Sequence, residues 1–205
     1  MTNSNPSLNP ANNGTLAGTL QFVFKKMMQQ VDGMMPARVI AYDRATNRAQ
    51  VQIMITQITT SGTQIPRSQV ASLPVMVVGG GGFLLSFPIK SGDYGWIMAS
   101  DRDTSLFLQS MAQSPPNTMR MKSFSDGVFI PDSMRGLTID GDDVDKVVLQ
   151  STDGLTKIAI GGDSIDIVSP VKININAPDI MIDLGNSSNI MNVNGSIVAT
   201  GTITP

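Results

Sequence analysis

Lys157–Leu184 reads KIAIGGDSIDIVSPVKININAPDIMIDL, and its period decides the fold. Isoleucine or valine returns at every second position: Ile158 and Ile160, Ile165 and Ile167, Val171, Ile173 and Ile175, then Ile180, Ile182 and Leu184. Such alternation marks strands with one apolar and one wet face. Turn residues separate them at Gly161-Gly162-Asp163, Ser169-Pro170 and Ala177-Pro178. The pattern reaches back to Val147 and Leu149 and forward to Met191, Val193, Ile197 and Ala199. Residues 137–205 are therefore predicted to form about eight short strands.

Composition shifts where this run begins: from Leu137 onward there is no Phe, Tyr, Trp or Arg. Short strands bearing only branched and small aliphatic side chains cannot close a thick core, but they can line a narrow axis. One chain doing so would leave open sheet edges, which proteins avoid. Three chains winding about one axis would cap each other's edges. The expectation is an intertwined triple-stranded β-helix in a homotrimer. Its core would be Ile158, Ile160, Ile165, Ile167, Ile173, Ile175, Ile180, Ile182 and Leu184. Stacking at ~4.8 Å per strand gives a shaft of roughly 40 Å, close to one bilayer with its headgroups, about 40–45 Å.

Upstream, three further zones are expected. Residues 1–35 form an arm and a helix. Met1–Gly14 is rich in Asn, Ser and Pro and lacks the charged and apolar regions of a secretory leader, so assembly in a cytoplasm is expected. From Thr15, Leu16, Leu20, Phe24, Met27, Met28 and Val31 recur at helical spacing, and Asp32-Gly33 ends the run. This apolar stripe either packs on its own domain or docks on a partner. The methionines at 27, 28, 34 and 35 add adaptable apolar surface.

Residues 36–114 are predicted to be a small barrel of the OB type, which needs five strands. They are Ala37–Tyr42 and Arg48–Ile58 around the turn at residues 44–47, Gln69–Val78, Phe83–Phe87 and Tyr94–Ser100. Trp96, both Tyr and most Phe would supply its core. Residues 115–136 read as a linker opened by Pro115-Pro116. The fold class is all-β.

The sequence also narrows the chemistry. Its 205 residues contain no Cys and no His, and all 16 acidic side chains are Asp. Ser-His-Asp and Cys-His nucleophile systems are excluded, as are zinc sites of the usual ligands. Net charge is −2, but residues 137–205 hold nine Asp against three Lys. An acidic tail of that kind repels nucleic acid. Gly79–Gly82 lacks the Lys-Ser/Thr of a phosphate loop. Asp140–Asp145 lacks the closing Glu of a calcium loop and reads as a solvated acidic collar. Glycan cleavage would need two carboxylates at a defined separation, and a sugar-binding fibre would need aromatic platforms that residues 137–205 lack. No catalytic residue, cofactor or metal is assigned, and the protein is expected not to be an enzyme.

Several motifs carry a resemblance. The stretch Leu73–Ile97, with its Pro-Val strand, glycine run and FPIKSGD, followed by Ser100-Asp-Arg-Asp, resembles the N-terminal domain of baseplate central spike proteins of contractile-tailed phages. Phe124–Pro131, FSDGVFIP, is similar to that family's segment between barrel and shaft. The resemblance implies a homotrimer in the virion, at the centre of the tail baseplate. It would sit under a hub protein, with its shaft aimed at the host outer membrane and driven through it by sheath contraction. Related spikes serve type VI secretion (the VgrG type) and phage-tail-like bacteriocins. Many members end in a histidine-bound iron tip, which a chain without His cannot build. Two apices remain open: a separate tip protein, or closure by Ile197, Val198 and Ile203 on the axis.

Overall fold

The computed structural model describes residues 14–59, 61–134, 136, 138–182 and 193–194. The chain divides into two compact units, Met1–Leu137 and Thr138–Pro205.

The first unit opens with helix α1, Leu16–Met28. Thr15 caps it, its side chain accepting from the Gly18 amide at 3.0 Å, and Lys25 and Lys26 complement the negative end of the helix dipole. Strands follow in order: β1 Met34–Asp43, β2 Arg48–Ile53, β3 Gln57–Ile58, β4 Gln64–Ile65 and β5 Val70–Pro74. Next come β6 Val78–Gly80, β7 Phe83–Leu85, β8 Tyr94–Ser100, helix α2 Ser105–Ser110 and β9 Ser123–Pro131. The main sheet runs β5-β2-β1-β8-β9.

Its two outer strands meet. Val75 bridges Phe129 in parallel, and the Met76 amide donates to the Phe129 carbonyl at 2.8 Å. The sheet thus curls into a nearly closed, OB-like barrel. Bulges on both sides of β2, at Val39/Ala41 and Ala49/Val51, help bend it. At the second bulge Ser72 adopts a left-handed φ of 60° and is held there by Arg48, whose Nε donates to its Oγ at 2.7 Å.

Alternation explains the core. Ala49, Val51 and Ile53 of β2 point inward with Ala37, Val39, Leu73, Val75 and Ile97. The expected hairpin between β1 and β2 is present, with Asp43 opposite Arg48, and Tyr94–Ser100 is a strand as predicted.

Three expectations need correction. Phe83–Phe87 is not a barrel strand: β7 pairs with β6 in a separate two-stranded hairpin. Residues 115–136 are not simply a linker, because they contain β9, the barrel's fifth strand. The fully buried core aromatics also differ: they are Phe124 and Phe129, both from β9; Tyr42 packs half-buried against the core, whereas Trp96 donates from outside it to Asp132 at 2.7 Å. The reason is periodicity. β9 carries a glycine and an aspartate inside it, which masks its alternation, yet Gly127 and Gly95 have no room for a Cβ. At Gly95 a Cβ would lie 2.5 Å from the Phe129 ring.

In the second unit a 3-10 turn, Gly141–Asp143, precedes β10 Val147–Gln150, β11 Lys157–Ile160 and β12 Ile165–Val168. These three strands form an antiparallel sheet in sequence order. Residues 169–182 follow without a ladder among the described residues, so three of the predicted strands are formed there. A strand exists only through its ladder partners, and this stretch finds none within the single chain's described residues.

Replacing Phe129 with Ala should cost about 3–5 kcal/mol, as for other fully buried aromatic truncations. Gly95→Ala should destabilise by about 1–3 kcal/mol through overpacking. Urea unfolding followed by Trp96 fluorescence measures both. An unchanged midpoint for Phe129→Ala would remove β9 from the core.

Candidate functional site: assembly surfaces

The clearest surface in the second unit follows from strand register. Val147 lies opposite Ile160, which lies opposite Ile165; Leu149 lies opposite Ile158, which lies opposite Ile167. Paired residues share a face, so two three-residue apolar ladders lie side by side on one face of this sheet. All six are exposed, Val147 at 74% and Ile165 at 67%. Of the residues expected to form the shaft core, Ile158, Ile160, Ile165 and Ile167 lie on this one face. Val171, Ile173, Ile175, Ile180 and Ile182 are also exposed but belong to no ladder. Leu184 and the candidate apex residues Ile197, Val198 and Ile203 lie outside the described residues.

The middle of the opposite face is covered by charge, while Val168 at its end stays exposed. Ala159, between Val148 and Asp166 in register, is fully buried. Asp143, 2% exposed, accepts from Lys146 Nζ at 3.0 Å and from Lys157 Nζ, while Lys146 also binds Asp166 at 2.8 Å. The acidic collar is therefore not uniformly solvated: Asp143 turns inward, and each of its carboxylate oxygens receives a lysine ammonium. Lys157, then Lys146, hold its carboxyl below the usual range. In return, Asp166 and then Asp143 raise Lys146, and Asp143 raises Lys157. Sequence reasoning missed this clasp. The available signal was lysine at 157, preceding the alternating Ile158 and Ile160.

In the first unit, Asp101 and Asp103, at the end of one resembling stretch, anchor the segment between β8 and β9. Asp103, with its side chain fully buried, accepts from the Ser105 amide at 2.9 Å and from Thr118 Oγ1 at 2.7 Å. Arg120 bridges Asp103 at 3.3 Å and Asp126 at 3.0 Å. Hydrogen bonds from Ser105 and Thr118, helped by Arg120, hold the Asp103 carboxyl well below the ordinary range. Asp101 pairs with Lys122. These charges tie a long excursion at both ends and deliver the chain into β9.

A groove of about 650 Å³ runs beside β5 and β9, lined by Asp32, Arg67, Val70 and Phe124 among others. Arg67 binds Asp32 at 2.8 Å and lies over the Phe124 ring at 5.9 Å. The groove's cation and aromatic ring are thus committed to one another. Helix α1 leaves its stripe open: Leu16, Leu20, Phe24 and Met27 are all more than 60% exposed. No helix among the described residues is long and apolar enough to cross a membrane.

The charge clasps predict a two-sided pH response. Asp103 and Asp143 have lowered pKa values, so their contribution is present above the unfolded value of about 4 and lost as pH falls below it. Lys146 and Lys157 are raised, so theirs is complete below about pH 10.4 and lost as pH rises through the folded values. Circular-dichroism melts should show a plateau between about pH 5 and 10, falling on both sides. Asp143→Asn should shrink the alkaline limb. An alkaline limb of unchanged size would mean the lysines are not coupled to Asp143.

Residues 35–132, just under half of the chain, match the family model described as the phage protein Gp138 N-terminal domain. No curated protein matches the chain. Over its barrel, from β1 through β9, this protein is similar to a domain of a phage protein, which supports a phage structural role.

Proposed function

We propose that this protein is the central spike of a contractile-tail baseplate, a structural part that pierces the host outer membrane during contraction. The observation that carries the reading is the pair of ladders Val147–Ile160–Ile165 and Leu149–Ile158–Ile167, exposed on a sheet whose other face carries the Asp143 clasp over the buried Ala159. Full burial of each such side chain is worth about 1.5–3 kcal/mol, so the bare face is a strong drive to association. Two further copies of the chain complete it, giving a homotrimeric shaft in which Ile173, Ile175, Ile180 and Ile182 find partners. The likeness of residues 35–132 to a phage protein domain supports placement in the virion. The barrel, with the exposed α1 stripe, attaches to a hub protein, and the shaft faces the membrane.

The groove does not favour nucleic-acid binding, since Arg67 is engaged with Asp32 and Phe124. The protein carries out no catalysis in this reading.

Native mass spectrometry should give a trimer of about 65 kDa, three times 21.8 kDa. The double change Ile160→Asp and Ile165→Asp should return a monomer whose Trp96 fluorescence is retained. A stable wild-type monomer would overturn the shaft. Imaging of the particle by electron microscopy should find the protein on the tail axis. Labelling on peripheral fibres would overturn the spike.

A further inference from the structure

The hairpin β6–β7 has no place in the barrel sheet, yet it is built with care. Its strands pair Val78 with Leu85, Gly79 with Leu84 and Gly80 with Phe83. Gly81 and Gly82 form a two-residue loop with φ of 61° and 86°, the signs that a type I′ turn requires. A Cβ at Gly79 would lie 2.8 Å from the Phe83 carbonyl oxygen. The glycine run is therefore a tight, defined hairpin.

This hairpin is apolar on both faces. Val78, Leu85 and Phe83 share one face, and Leu84 lies on the other. Phe83 is 84% exposed and Leu84 71%, with Met76 and Phe87 exposed on either side in sequence. A lone two-stranded hairpin is marginal in water, and a bare apolar patch marks an interaction site. At roughly 150–250 Å² for a large side chain, the exposed fractions of these six residues amount to about 700 Å². Divided between two faces, it makes a partial contact against the roughly 800 Å² each partner contributes to a standard interface, one that adds to an interface elsewhere.

Charge selects the occupant. Between Arg67 and Lys90 no residue is charged. Around a rotation axis, equivalent side chains of identical chains converge, so charges there would repel. An uncharged hairpin avoids that repulsion and offers a charged partner nothing to pair with. Having two apolar faces suits an element flanked by two neighbours.

We propose that the Val78–Leu85 hairpin is a contact between copies of this chain, each meeting its counterparts near the trimer axis. This rests on the trimeric reading above and adds a second interface, in the barrel unit.

The sequence contains no Cys, so single introduced thiols give clean probes in the full chain. Phe83→Cys and, on the other face, Leu84→Cys should each be captured as covalent dimers by a short thiol-reactive cross-linker. Met119→Cys, on an exposed loop residue, should stay single. Native mass spectrometry of the same samples separates the two readings. A trimer in which neither hairpin thiol cross-links overturns this contact alone. Cross-linking equal to that of Met119→Cys marks random collision and overturns it too. A monomer overturns both interfaces.

Discussion

A sheet of three strands has two faces, and in the second unit only one of them holds a buried side chain, that of Ala159. Asp143 sits against one face, held by Lys146 and Lys157 over the buried Ala159. The other face is a smooth double row of Val, Leu and Ile. Had the turn at Gly141–Asp143 brought an apolar side chain instead, the sheet could have closed into a small two-layer core. A carboxylate with two ammonium partners fills the same space without supplying a second layer. The clasp therefore fixes which face gains a partner from within the chain and which stays bare.

The first unit solves the edge problem differently. Its five-stranded sheet curls until β5 and β9 meet through Val75, Met76 and Phe129. That closure requires β9 to return across the barrel after an excursion of more than twenty residues following β8. The buried Asp103, bonded to Ser105, Thr118 and Arg120, and the pair Asp101–Lys122 hold that excursion together. Buried carboxylates are costly unless paired, and both oxygens of Asp103 have donors. Charge thus plays the same part in both units: it ends what the hydrogen-bonded ladders cannot.

Three of the open apolar surfaces are the α1 stripe, the β6–β7 hairpin and the isoleucine face. Their charge differs in a useful way. The helix carries Lys25 and Lys26 and no acid, whereas the hairpin has no charge at all. A cationic amphipathic helix suits a partner of complementary charge, while an uncharged element suits contact with its own copies. In the acidic tail, nine Asp against three Lys, the charged residues of the ladder strands, Lys157 and Asp166, lie on the face opposite the apolar ladders.

Alternation made the sequence legible wherever one face of a strand had to be apolar. β1, β2, β8, β11 and β12, the helix start at Thr15 and the ladder residues from Ile158 to Ile167 all follow from local period and turn chemistry. The all-β class and the uncovered face needed no more than that. Tertiary structure alone decided the rest. Phe83–Phe87 reads locally like a core strand but pairs only with β6, while Phe124–Pro131, interrupted by Asp126 and Gly127, supplies the barrel's two core aromatics. Whether a strand joins a sheet depends on long-range hydrogen-bond partners and on the space left for its side chains. Gly95 beside the Phe129 ring shows this most directly: two residues far apart in sequence fit because one of them has no side chain. The pairing of Asp143 with Lys146 and Lys157 was hidden for a related reason, since sequence shows charges but not which of them fold toward one another.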